Sequence, residues 1–195
     1  MKKMWWMIIL LLLAAGAFAV FFAARNTHDS AATGGGKRDN TDPDAPKVIH
    51  STEIISFDCA FSTSRRLEAG ALNRGYYSLT AAAEDGSVSG SYHCTANAQG
   101  NPESASFEAD ASFMAELHSI ITEQDLAEHN GLSIHVGGLP PKLGCDLYVT
   151  YASGEQISAH NNQTNFLALK QMEALEALFR EAAFGKDRTE DSEGG

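Results

Sequence analysis

Basic residues are scarce in this sequence. The 195-residue chain has 14 Lys and Arg against 25 Asp and Glu, a formal net charge of −11. The stretch 48–184 carries the imbalance, with six Lys and Arg against seventeen Asp and Glu. An acidic domain repels phosphate backbones, which argues against nucleic-acid binding. It also resists lying flat on anionic lipid. Its direct consequences are solubility and self-repulsion. Cysteine is limited to Cys59, Cys94 and Cys145, none of them in a C-x-x-C pair, so redox catalysis has little support. The seven histidines are scattered, without the H-x-x-x-H or H-E-x-x-H spacing that brings zinc ligands together. No phosphate-binding loop or dinucleotide fingerprint is present. "GSVSG" at 86–90 has Val88 at its centre and is not a nucleophile elbow. These absences give no reason to expect a metal or a cofactor.

Charge is also missing from residues 4–24, which follow Lys2 and Lys3. A helix of about 20 residues crosses a hydrocarbon core of about 30 Å, whereas the apolar part of a signal peptide usually spans about 7–15. Residues 1–25 therefore read as a retained membrane anchor through the lipid bilayer. Trp5 and Trp6 lie where an interfacial aromatic belt would be, and the lysines keep the N-terminus inside. Ala17-Phe18-Ala19 offers the alternative of a cleaved signal. Either way the remainder lies outside the cytoplasm, and under the first reading it stays on the cytoplasmic membrane. Residues 26–47 are polar and aperiodic and read as a flexible linker. Asn40, Asp42 and Asp44 alternate as in a calcium loop, but Ala45 and Ser51 occupy the positions of its glycine and glutamate. Residues 185–195 read as a disordered acidic tail.

What remains, 48–184, has the size of one domain. Ile55, Phe57, Cys59 and Phe61 alternate as in a half-buried strand. Two further strand-like runs, 76–83 and 87–96, flank Glu84-Asp85-Gly86, a strong hairpin signal. Residues 104–109 add a short strand. Asp110 then caps a helix carrying Phe113, Met114, Leu117 and Ile120/Ile121, and 126–131 makes a further short helical turn. Residues 145–151 and 156–160 form a second hairpin. The final helix, 165–184, bears a stripe of Phe166, Leu169, Met172, Leu175, Leu178/Phe179 and Ala182, with Glu176 and Arg180 paired on its other side and Gly185 as the stop. The expected fold is α+β: an N-terminal transmembrane helix, then an antiparallel sheet of about five to six strands packed by two main helices.

The three cysteines share parity with the apolar residues of their strands and should face the core. An oxidising exterior permits one disulfide among Cys59, Cys94 and Cys145, pairing undetermined; the alternative is three buried thiols. His93 alternates away from Cys94 and should lie on the sheet's open face. Asn162-Gln163-Thr164 is a formal glycosylation sequon, better suited to helix entry. The irregular stretch 129–144 carries four glycines and two adjacent prolines. Long loops in compact domains are often functional. His135, Leu139, Pro140, Pro141 and Lys142 are therefore the binding-loop candidates, against a plain connection across the sheet edge. No catalytic residues stand out.

"HNGL", then "GLPPKLGCDLYVTYASGEQISAHNN", then a terminal amphipathic helix resembles a group of uncharacterised extracytoplasmic domains of Gram-positive bacteria. Members often follow a membrane anchor or a lipoprotein signal. The similarity spans roughly 54–184. It implies a cell-envelope setting and an α+β layout, and nothing about chemistry. The expected function is a membrane-anchored interaction or ligand-binding module, its partner an envelope protein or a small ligand. The alternatives are a cell-envelope hydrolase whose site assembles only in three dimensions, and a sensor using the cysteines. Sequencing the mature N-terminus tests the anchor: the first residues should precede Val20, and a chain starting at Val20 would mean that the segment is cut away.

Overall fold

The computed structural model describes residues 36–64, 72–95 and 99–185. The expected anchor at 4–24 and the tail after 185 lie outside the described residues. So does the first part of the expected linker. Among the described residues, no helix is long and apolar enough to cross a membrane.

The fold is α+β. Eight strands form one sheet: β1 (Lys37–Asp39), β2 (Ile54–Ser62), β3 (Tyr76–Glu84), β4 (Ser87–Cys94), β5 (Glu103–Asp110), β6 (Ser133–Val136), β7 (Cys145–Tyr151) and β8 (Gln156–Asn161). Their order across the sheet is β1-β6-β8-β7-β2-β3-β4-β5. Two helices, α1 (Ala111–Glu123) and α2 (Leu169–Phe184), complete it with a 3₁₀ turn at Leu126–His129. The expected sheet was smaller and wholly antiparallel. The structure adds β1 and β6, and the β6–β8 pair is parallel. Such short strands carry too few residues to show a period. Only the neighbouring strand's hydrogen bonds define them.

Residues 36–47 also correct the linker. Lys37, Arg38 and Asp39 pair with Val136, His135 and Ile134. The Asp42 amide donates to the Gly131 carbonyl at 2.8 Å. The Lys47 ammonium donates to the Asn130 carbonyl. Composition alone made this segment look unstructured, because it buries almost no apolar surface. It is held by backbone pairing instead.

Alternation divides the sheet into two chemically distinct faces. One carries Phe57, Cys59, Phe61, Tyr77, Leu79, Val88, Tyr92, Cys145, Leu147, Val149 and Ile157, all buried. Helices α1 and α2 cover this face through Phe113, Leu117, Met172, Leu175 and Phe179. Phe179 meets Phe57, Phe107 and Phe113 with ring centroids 5.5, 5.9 and 5.1 Å apart. Full burial of each such side chain contributes about 2 kcal/mol. Phe107 packs against Gly90, where a Cβ would fall 2.2 Å from its ring.

Both helix starts have a local cause. Asp110 accepts from the Ser112 amide at 2.8 Å and caps α1. The last helix begins later than its stripe implies. Asn165 accepts from the Leu167 amide, and the Gln171 side chain accepts from the Ala168 amide, so 165–168 form an entry turn. Glu176 and Arg180 do not face solvent as expected. Arg180 donates to Glu103 at 2.6 Å and Glu176 accepts from the Tyr92 hydroxyl at 2.8 Å, which ties α2 to β4 and β5. The Glu176–Arg180 contact survives at 3.8 Å as the weaker partner. Burial pushes the Glu176 carboxyl above its usual range, opposed by the Tyr92 hydrogen bond and Arg180.

Candidate functional site

No helix of the described residues covers the other face of the sheet. By alternation and register it carries Asp58, Tyr76, Ser78, Thr80, Ser91, His93, Asp146, Tyr148, Thr150, Ser158 and His160. This face is hydroxyl-, imidazole- and carboxylate-bearing, with almost no aliphatic side chains. Its most organised chemistry lies where β6, β8 and β7 meet. Asp146 and His160 are opposite each other in the β7–β8 register. The His160 Nδ1 and the Asp146 carboxylate form a short hydrogen bond. His135 stacks on His160, ring centroids 6.0 Å apart and planes 17° from parallel.

Residues 137–144 close the same end of the sheet. Their two roots are pinned. The Asn162 side chain accepts from the Val136 amide at 2.8 Å and donates to the Val136 carbonyl at 2.9 Å, completing the ladder that the short β6 cannot complete alone. The sequon asparagine thus serves β6, not helix entry. Gly144 packs so tightly that a Cβ would lie 1.9 Å from the Asn161 carbonyl oxygen. Lys142 adopts φ 65°, a left-handed conformation costing roughly 1–2 kcal/mol in a residue with a Cβ. Its ammonium lies 5.3 Å from the centroid of the Tyr76 ring, a cation–π distance. A conformation held at a cost between two fixed roots marks a shaped loop.

The five loop candidates therefore divide. His135 belongs to strand β6, is exposed, and joins His160 and Asp146. Lys142 joins Tyr76. Pro140 and Pro141 are exposed and Leu139 is half-buried, so the apolar point is only partly presented. Sequence reading missed Asp146, His160 and Tyr76. Their parity was available: Asp146, Tyr148 and Thr150 interleave with the buried Cys145, Leu147 and Val149. The strand pairing that sets Asp146 beside His160 was not.

The electrostatics follow from these contacts. The Asp146 hydrogen bond raises the His160 pKa above its ordinary value, against an opposing effect of burial. Burial, then the charges of Asp146 and Asp58, push the Tyr76 phenol up to about 12, so it is a neutral donor at any physiological pH. An imidazole held by a carboxylate is oriented and can carry a proton near neutral pH.

The cysteines lie elsewhere, in the core. Cys59, Cys94 and Cys145 are buried thiols, with no disulfide between them. Burial, followed by the neighbouring Cys145, raises the Cys59 thiol pKa well above the usual value. Such a thiol is a poor nucleophile. Among the described residues, no group of three or more His, Cys, Asp and Glu could hold a metal ion. No protein-family model, curated protein or solved structure matches the chain.

The pair makes stability depend on pH. The folded pKa of His160 lies above the unfolded one, so its contribution is complete below the unfolded value and is lost as pH rises through the folded value. Histidine NMR of the intact chain should place the His160 titration above that of an unstructured histidine. Asp146→Asn should lower it and flatten the stability loss as pH rises through the His160 titration. An unchanged His160 titration in Asp146→Asn would remove Asp146 as the cause.

Proposed function

We propose that this chain is an extracytoplasmic binding module, held to the bacterial cytoplasmic membrane by residues 4–24. Its ligand surface is the loop end of the open sheet face. One observation carries the reading: His135, His160 and Asp146 come together on the face that the core does not use, beside the Lys142–Tyr76 contact. Conserving the hydrophobic core does not require any of these side chains. His135, His160 and Asp146 stand on hydrogen-bonded strands, which fixes their spacing as a recognition surface needs. The uncharged run at 4–24, the likeness to extracytoplasmic domains of Gram-positive bacteria and the acidic domain all agree with this setting.

A cell-envelope hydrolase is the second reading, and it rests on the same His160–Asp146 hydrogen bond. A carboxylate-held imidazole is one half of a general-base arrangement. The other half is a nucleophile within hydrogen-bond reach of Nε2, and among the described residues the His160 ring hydrogen-bonds to Asp146 alone. The binding reading asks for less.

Full-length protein in detergent, used as bait on solubilised envelopes, tests the module. It should enrich a ligand that the Leu139→Asp/Lys142→Glu variant loses by about tenfold or more, the scale of one or two lost contacts. Equal recovery by bait and variant would remove the loop end as the binding surface.

A further inference from the structure

We propose that Arg38, His135 and His160 form a binding site for an oxyanion, a phosphate or a carboxylate group borne by the module's ligand. The proposal rests on the loop end of the open face being the ligand surface, and names the chemistry taken there. Arg38 and His135 are direct partners in the β1–β6 register. Residues opposite one another in an antiparallel pair project from the same face. His135 in turn stacks on His160. The three side chains thus follow one another across β1, β6 and β8.

Their bonding is incomplete in a way that fits an anion. Among the described residues, neither the Arg38 nor the His135 side chain has a hydrogen bond or ion pair, although the chain is rich in carboxylates. Other cations nearby are engaged. Lys37 pairs with Asp39 at 3.6 Å, and Lys47 donates to the Asn130 carbonyl. Alternation sends Lys37 and Asp39 to the opposite face from Arg38, so Asp39 does not neutralise the guanidinium. His160 directs Nδ1 at Asp146, so Nε2 on the far side of the ring becomes a donor when the imidazole is protonated. A guanidinium beside imidazoles is a common way to hold an oxyanion through several charge-assisted hydrogen bonds.

The acids facing the site are few. Asp146, on β7, is already bonded to His160. Asp58 lies on β2, three strands from β6. That is about 14 Å at the usual strand spacing, beyond a Debye length of about 8 Å. Tyr76, on β3, stays neutral. Glu155, in the β7–β8 turn, accepts from the His50 and Ser51 amides at the other end of the sheet. With His160 charged, the charge around Arg38 is positive within an otherwise acidic domain. Anion binding therefore favours the protonated His160 and weakens as it loses its proton.

The test uses full-length protein in detergent micelles, with sulfate, inorganic phosphate and acetate as separate probes at constant ionic strength. Histidine-ring NMR reads His135 and His160, with His93 on β4 as the internal reference. At about pH 6, at least one probe should shift His135 and His160 saturably and leave His93 in place. Sulfate keeps its charge as pH rises, so its binding should weaken about tenfold as pH passes through the His160 titration. Arg38→Ala should weaken binding about tenfold, Arg38→Lys should restore part of it, and Lys37→Ala should leave it unchanged. Tighter phosphate than acetate names a phosphate-bearing ligand; the reverse names a carboxylate. No saturable shift with any probe, equal movement of His93, or wild-type binding by Arg38→Ala would overturn the site. If envelope capture still depends on Leu139 and Lys142 after such a result, the binding module stands and only its oxyanion chemistry falls.

Discussion

The edge of this sheet depends on one buried amide. Asn130 accepts from the Ser158 amide at 2.8 Å and donates to the Pro46 carbonyl at 2.8 Å and the Gln156 carbonyl at 3.2 Å. It therefore joins β8 to the segment that enters β2 and to the turn before β6. Its own carbonyl receives the Lys47 ammonium. A buried amide of this kind is costly to leave unpaired, about 1–3 kcal/mol for each group that loses its partner. Gly131, the next residue, leaves no room for a Cβ, which would fall 2.4 Å from the Asp42 carbonyl oxygen. Together they let residues 36–47 strap the sheet edge without an apolar side chain among their anchors. Strand β1, and with it Arg38, is placed by that strap.

The rest of the sheet is held differently. Its centre is a two-faced layer whose apolar side is closed by α1 and α2 and whose polar side no helix of the described residues covers. The burial of Phe57, Phe61, Leu79, Leu147 and Phe179 stabilises this layer without constraining the opposite face. That face is free to carry histidines, tyrosines and carboxylates. Asp146 on His160, His135 on His160 and Lys142 over Tyr76 organise its loop end.

This division explains what could be read from the residues alone. The central strands, both hairpins, the capped α1 and the amphipathic α2 were legible because period and turn chemistry are local. The inward cysteines and the outward His93 followed from the same parity. Strands β1 and β6 were not legible, since three and four residues cannot display alternation and their partners lie far along the chain. The Glu176–Arg180 pair was placed on the wrong side because helical spacing alone does not show that β4 and β5 reach it. His135 and Lys142 were found as loop residues, but their companions Asp146, His160, Tyr76 and Arg38 depend on register. Register is set by pairing across the sheet, which no single segment encodes.

Native-state hydrogen exchange on full-length Asn130→Ala, followed through low denaturant, tests the central claim that the edge carrying the site is a separate unit held by this amide. The account predicts that the amides of β1 and β6 lose most of their protection and exchange with little dependence on denaturant. The amides of β2 and β3 should still require global unfolding. Edge amides that keep their protection relative to β2 and β3 would contradict it.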